Sequence, residues 1–406
     1  MYRILTCLLL FVAATAHGDL RWRFETDGAV AGNPVVSQGQ VYVTGGNRVY
    51  VLSRQGELQW SYDVGAPTRS TVDLAAGTVY LLADNGLHAI DANGQRLWLF
   101  ATRDGPLQVE GKTMGWGEGL HTDPWTLYRS APRVIGDAVV FGNQQGAWAV
   151  NARSGEVLWH TDTGTTHTRP DHHEGIAVVG SWDNHLYGLN LADGSVAWKF
   201  EARLPGGEMA GWLGWEGFNL DPVIQEGVVY AGSRGTHLYA INARTGVEKW
   251  SWKHPSSWLG SPAIISDGVV YFGMSDGNSL IGLQTGMGNQ SLLFRNRFYN
   301  FARPQANARQ VFMASISGEL FAIDKATGQG QRIFATPGSQ ANLAELQSPN
   351  GGLKFLYSVD GYTHDNATRD VNRMLSMLDS LLSLTLDGDT LYAGSANGGV
   401  YAISLD

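Results

Sequence analysis

The chain has 406 residues and a formal net charge of −9, with 52 glycines, 14 tryptophans, one cysteine and only 16% of residues charged. Single hydrophobic cores stop growing near roughly 250–300 residues, so this length means several domains or a repeat array. The acidic balance repels phosphate backbones and excludes nucleic acid as a natural partner, while abundant glycine with sparse charge fits many short strands and tight turns.

At the N-terminus, Arg3 brings a positive charge, Ile4 to Ala14 is an apolar run, and Ala14-Thr15-Ala16 is a small-x-small cleavage pattern. Residues 1–16 therefore read as a secretory leader; the run is shorter than the ~20 helical residues that span a bilayer. Cys7 lies inside this run, whereas a lipid-bearing cysteine would follow it. The mature chain is expected to be cysteine-free, without a membrane span, and periplasmic or secreted.

The remainder is periodic. Trp22, Trp60, Trp98, Trp159, Trp198 and Trp250 each close a similar unit, and Phe294 and Phe334 continue the series, most often at roughly 38–40 residues. The unit at Asp221 to Trp250 shows the grammar. Pro222 to Ile224 opens an inner strand, Val228 to Ala231 and Leu238 to Asn242 follow, and Val247 to Trp250 is the outer strand. Gly227 and Thr245-Gly246 turn the chain on one face and Gly232 to Gly235 on the other. Four antiparallel strands repeated at this spacing predict the blades of a β-propeller.

The stretch joining the third and fourth strands carries a resemblance. Ala149-Val-Asn-Ala-Arg-Ser-Gly155-Glu-Val-Leu-Trp159 and Ala240-Ile-Asn-Ala-Arg-Thr-Gly246-Val-Glu-Lys-Trp250 resemble the pyrroloquinoline-quinone (PQQ) repeat signature, Ala-x-Asp-x-x-Thr-Gly-x-x-x-Trp. Gly188 to Trp198, Ala89 to Trp98, Ala322 to Phe334, Gly282 to Phe294 and Val51 to Trp60 are further copies, so the resemblance covers nearly all of the mature chain. In physical terms the Gly closes a hairpin and the Trp packs between adjacent blades. Leu384 to Ser404 supplies three strands of a last blade and Leu20 to Phe24 an orphan outer strand; pairing them closes an eight-bladed, all-β ring without exposed sheet edges.

Three insertions, at about 102–130, 203–219 and 340–382, and a smaller one at 253–260 lie between the outer strand of one blade and the inner strand of the next. All rise from the same face, where a binding surface would be grafted. Trp116, Trp125, Tyr128, Trp212, Trp215 and Trp258 fall in them. These aromatics either form an interaction surface or cap the loops' own small cores. Val371, Met374, Leu375, Leu378 and Leu382 share one stripe of a helix expected over 371–382, packed on the propeller.

Aligned inner strands place Asn33, Thr71, Ala131, Arg169, Asp221, Ser261, Arg303 and Ser383 around the central channel at that face. Arg169, Asp221 and Arg303 make either an anion and hydrogen-bond site or an ion-paired plug that holds the blades in register. His160, His167, His172, His173 and His185 crowd into one blade but split between its two faces, against a shared metal site.

Two branches of the resemblance imply different functions. PQQ-dependent dehydrogenases would imply PQQ and Ca²⁺, with Glu208, Asn219 and Asp221 as the available oxygen ligands. The adjacent-cysteine disulfide found in many of those enzymes is impossible in a chain with one cysteine. The other branch, the eight-bladed outer-membrane assembly propellers of Gram-negative envelopes, implies a non-catalytic scaffold without cofactor. On this reading the chain is a monomeric envelope propeller that engages a protein, small-molecule or saccharide ligand through its inserted-loop face and channel.

Overall fold

In the computed structural model, the described residues are 18–102, 108–110, 116–125, 127, 130–203, 217–348, 354 and 361–405. The leader reading of residues 1–16 lies outside them. The chain forms eight four-stranded antiparallel sheets, each running from an inner to an outer strand. Seven are built from consecutive strands, beginning with Val35–Ser37, Gln40–Gly45, Arg48–Ser53 and Leu58–Asp63. The eighth combines both ends of the chain: Leu381–Asp387, Thr390–Ser395 and Gly399–Ser404 carry Asp19–Glu25 as their outer strand. Trp22 lies opposite Ala402 and Phe24 opposite Val400 in that closing pair.

Apolar side chains alternate toward both faces of each sheet, and the core consists of clusters between neighbouring blades. Val41, Val43, Tyr50 and Leu52 pack on Tyr392, Val400 and Ala402 across the closure. Tyr230, Leu238 and Ala240 likewise pack on Val270, Phe272 and Ile281 between blades five and six. Inner and second strands are joined by two-residue hairpins such as Glu226-Gly227, with φ of 50° and 72°. Positive φ at both central residues gives a turn whose twist matches the strands it joins.

The repeat signature resolves into three local tasks. The Asn242 side chain accepts from the amides of Arg244 and Thr245, both at 3.0 Å, and shapes the turn. Gly246 then adopts φ +71°, and a Cβ there would lie 2.8 Å from the ring of Trp198 in the preceding blade. The indole of Trp198 in turn donates to the Ala243 carbonyl at 2.9 Å. The same contact recurs between Trp22 and Gly56, Trp60 and Gly94, Trp98 and Gly155, Trp159 and Gly194, and Trp250 and Gly288. Each tryptophan is thus clamped to the next blade. Its own blade makes room by placing a small residue opposite: Gly188 faces Trp198 and Ala240 faces Trp250, each followed by a register shift.

Two boundaries differ from expectation. The helix expected over 371–382 is His364–Leu378, and the inner strand of blade eight begins at Leu381. Leu382 continues the apolar stripe in sequence, but Asp379 takes a left-handed cap at φ 47° that stops the helix and turns the chain into the sheet. A helix the periodicity did not reveal, α1 (Pro337–Leu346), precedes the longer one, α2 (His364–Leu378). α1 starts from Thr336, whose side chain caps Ser339, with proline in its first turn. No described helix is long and apolar enough to cross a membrane.

Gly246→Ala combines a strained left-handed residue with a clash on Trp198, so a loss of about 1–3 kcal/mol is expected, against about 3–5 for Trp198→Ala, both read by denaturant unfolding. A second test uses His88, fully buried in blade two, with Nε2 2.9 Å from Asn85 Oδ1. Burial, with a smaller contribution from Arg96, holds its pKa down at about 4 instead of 6.5. The unfolded chain therefore binds this proton more readily, so the stability His88 contributes is complete above pH 6.5 and falls as pH drops toward 4. Between pH 7 and 4.5, His88→Gln should lose about 2–3 kcal/mol less stability than wild type in urea titrations.

Candidate functional site

The channel is laced by charged groups from the inner strands. Asp73 of blade two accepts from the Val134 amide at 2.6 Å and from Arg169 at 2.7 Å. Asp171 of blade four accepts from the Ile224 amide and from Arg133, both at 2.8 Å. Asp221 of blade five accepts from the Arg169 amide at 2.7 Å and from Arg303 of blade seven at 2.9 Å. Every carboxylate therefore ties its own blade to two others. Burial lowers the pKa of Arg169, with Asp73 opposing that fall and Arg133 and Arg303 adding to it. The guanidinium stays charged, since arginine does not lose its proton in proteins.

Arg169, Asp221 and Arg303 thus meet in the channel, with Arg303 ion-paired to Asp221 and Arg169 to Asp73. Ser261 is not part of the lining. Blade six carries one more residue between its proline and the strand, so that Ile264 stands opposite Tyr271 where Val223 stands opposite Tyr230. Pro262 faces the channel, and the Ser261 hydroxyl instead accepts from the Gly273 amide at 2.8 Å.

The described parts of the first and third insertions fold over the mouth of this channel. Outer-to-inner connections and second-to-third-strand turns lie on one face, where the Phe218 amide bonds Ser181 O and the Arg234 amide bonds Gly217 O. From the first insertion, Gln108–Glu110 and Leu120–Thr122 pair as a hairpin, and the following residues cross the ring. Asp123 ends against Arg234 of the blade-five turn at 2.9 Å, with both side chains 1% exposed. The Arg234 guanidinium lies 4.1 Å from the Trp258 ring and 4.9 Å from that of Trp182. Trp125 packs edge-on against Tyr299 and Phe301 of the connection into blade seven. α2 closes the other side: Val371, Met374, Leu375 and Leu378 pack on Phe298, Tyr299 and Phe301, while His364 Nε2 lies 2.9 Å from Thr122 O. The crossing segment is a strap held by blades five and seven and by α2.

This placement changes what the tryptophans do. Trp258 is 6% exposed and sits beneath the strap, and Trp125 is half-buried, so both belong to the cap's own core. Trp116 is also half-buried, with its ring 5.2 Å from that of His364. Tyr128, Trp212, Trp215 and Glu208 lie outside the described residues. Sequence reasoning missed Asp123, Trp182 and Arg234. A signal existed for the last, since a bulky cation in a tight turn rich in serine and glycine departs from the other blades.

The clustered histidines do not share one blade and do not converge: His160 lies on the outer strand of blade three. His160 stacks on Trp148 at 3.9 Å, His167 is buried under the strap beside Asn219, and His172 and His173 lie on the inner strand. Among the described residues no group of three or more histidine, cysteine or carboxylate side chains could hold a metal.

A family model described as outer membrane protein assembly factor BamB matches residues 10–115, 134–334 and 206–406. The chain belongs to this family. The BamB of Nitrosomonas eutropha is 28% identical over 116 residues, 28% of this chain and 27% of that protein. The serine/threonine-protein kinase AfsK of Streptomyces griseus is 25% identical over 173 residues, 40% of this chain and 20% of the kinase. The aligned stretches thus span about a quarter and a fifth of those relatives. BamB from Moraxella catarrhalis superposes with a TM-score of 0.67 at 15% identity, over 95% of this chain and 99% of that one. The computationally designed Ika8 protein does so at 0.65 and 14% identity, over 94% and 97%. At such identities the two structures share the fold alone.

Of the oxygen ligands that a PQQ- and Ca²⁺-dependent reading would use, Glu208 lies outside the described residues and Asp221 is already paired in the channel. Both Asp221 oxygens are already engaged, one by a backbone amide and one by Arg303, and a cation there would face two guanidiniums. The strap latch is the more informative target. Asp123→Ala leaves the Arg234 guanidinium buried without this carboxylate and should cost about 3–5 kcal/mol, whereas adding Arg234→Met should recover most of the loss. Paired unfolding titrations of the single and double variants measure both.

Proposed function

We propose that this protein is a non-catalytic scaffold of the cell envelope, facing the periplasm, that supports outer-membrane protein assembly by docking a protein partner on its inserted-loop face. The observation that carries this reading is the asymmetry of elaboration in a BamB-family ring. On one face the connections are tight hairpins, and on the other they grow into the strap, two helices and further loops. A rigid ring with one built-up face suits docking, because the ring holds that face in a fixed place before the partner arrives. Trp116 and the exposed hairpin residue Leu120, with Tyr128, Trp212 and Trp215 from the insertions, are the contact residues we assign; Trp125 and Trp258 pack with Trp116 in the cap. We take the monomer as the working unit, since the two chain ends complete the eighth blade within one chain.

Site-directed photo-crosslinking in the periplasm tests this reading. Leu120 is 62% exposed on the inserted-loop face and Met287 71% exposed in an opposite-face turn. A crosslinker at Leu120 should trap a component of the outer-membrane assembly machinery, and one at Met287 should not. Depletion of the protein should also lower the amount of folded outer-membrane β-barrels, scored by their heat-modifiable mobility. Equal trapping from both faces, or unchanged barrel levels, overturns the proposal.

A further inference from the structure

Beside the strap lies a cleft of about 460 Å³, walled by Thr122, Asp123 and Pro124 of the strap, by α2, and by Arg69 of the connection into blade two. That volume is in the range of small-ligand sites, roughly 300–1,000 Å³. α2 is two-sided. Val371, Met374 and Leu378 pack downward, while Thr368, Asn372 and Ser376, four residues apart, face the cleft in one row. On a helix such residues stack one turn above another, roughly 5–6 Å apart. The row therefore offers hydrogen-bonding groups at regular intervals along one wall, above an apolar floor of Leu375, Leu382, Ala29 and Ala396.

The inner end of the cleft meets the channel. Arg69 and Leu382 line both the cleft and a smaller axial pocket of about 20 Å³, which Arg303, Asn33 and Thr71 also line. Such a volume is sufficient for a single oxygen-bearing group. Arg303 gives one nitrogen to Asp221, but its Nε is buried and has no acceptor among the described residues. A buried donor left unmatched costs free energy, and a ligand oxygen supplies the missing acceptor.

We propose that the cleft binds a small hydroxylated organic acid of the sugar-acid class, with its carboxylate at the axial end against Arg303 and Arg69 and its hydroxyls along Thr368, Asn372 and Ser376. A carboxylate suits two guanidiniums because each charge-assisted bond is about twice as strong as a neutral one. A body bearing hydroxyls on successive carbons matches the polar row, and its carbon faces match the apolar floor. This site is separate from the proposed docking of a protein partner and stands or falls without it.

Calorimetric titration of the whole protein with galacturonate, galactose, acetate and inorganic phosphate tests the assignment. Galacturonate should bind and raise the melting temperature, with galactose, acetate and phosphate each about tenfold weaker or more, as expected when one charged anchor or the hydroxylated body is missing. Arg69→Gln and the double variant Asn372→Ala/Ser376→Ala should each weaken galacturonate by about tenfold, with the far-ultraviolet spectrum and the melting temperature of the free protein unchanged. Arg303→Lys keeps the charge opposite Asp221 but removes Nε, and should weaken it similarly. No galacturonate binding at millimolar concentration, equal binding of acetate or phosphate, or wild-type affinity in all three variants overturns the proposal.

Discussion

The ring depends on one contact made six times: the outer-strand tryptophan of a blade lies on the turn glycine of the next, and in five of the six the indole N–H also donates to a carbonyl of that turn. Trp98 does this to Gly155 and Ala152, Trp159 to Gly194 and Leu191, and Trp250 to Gly288 and Thr285. The contact joins different blades, so no blade satisfies it alone. A large aromatic surface is removed from water only when the neighbour is present. Trp22 meets Gly56 and Arg54 in the same way, although it arrives from the opposite end of the chain. Closure therefore uses the interaction that holds five of the other seven interfaces and needs no disulfide.

The channel applies the same logic with charges. Buried ion pairs contribute little net stability, because desolvation offsets much of their attraction, yet removing one partner is expensive. Asp73, Asp171 and Asp221 each bind a backbone amide in one blade and an arginine in another, so a blade that slipped would strand several charges at once. The lacing is better understood as fixing register than as adding stability. Asp123 and Arg234 act similarly one level up, fixing where the strap lands, and the two flanking indoles compensate the guanidinium for lost water.

How far these features could be read from the sequence follows from how local they are. The blade grammar was legible because its Asn, Gly and Trp act within a few residues and repeat. Strand closure was legible because both chain ends were incomplete in complementary ways. The latch was not, since Asp123 and Arg234 are 111 residues apart and belong to no repeat. Periodicity carried the α2 stripe past its true end, because the left-handed backbone at Asp379 leaves no trace in the apolar pattern. The insertion tryptophans posed the hardest case: an indole beneath a strap and one offered to solvent look alike in composition. Trp258 is buried only because Arg234 and the strap cover it. The one-residue offset at Ser261 was hidden by a proline that aligned with its neighbours while the strand did not.

The repeat also explains why elaboration is confined to one face. Where a tryptophan precedes, the turn between third and fourth strands must present a glycine to it, so its length and backbone are fixed. The first hairpins are two-residue turns, five of them with positive φ at both central residues, and cannot grow without unpairing the inner strand. Only the connection leaving an outer strand for the next inner strand is free of both demands, and it already has to cross from rim to axis. Lengthening it breaks no blade contact, and the added residues collect over the channel mouth. In this chain that cover is a latched strap and an amphipathic helix, and the cleft between them exists because the strap is anchored at Arg234 rather than lying flat across the axis.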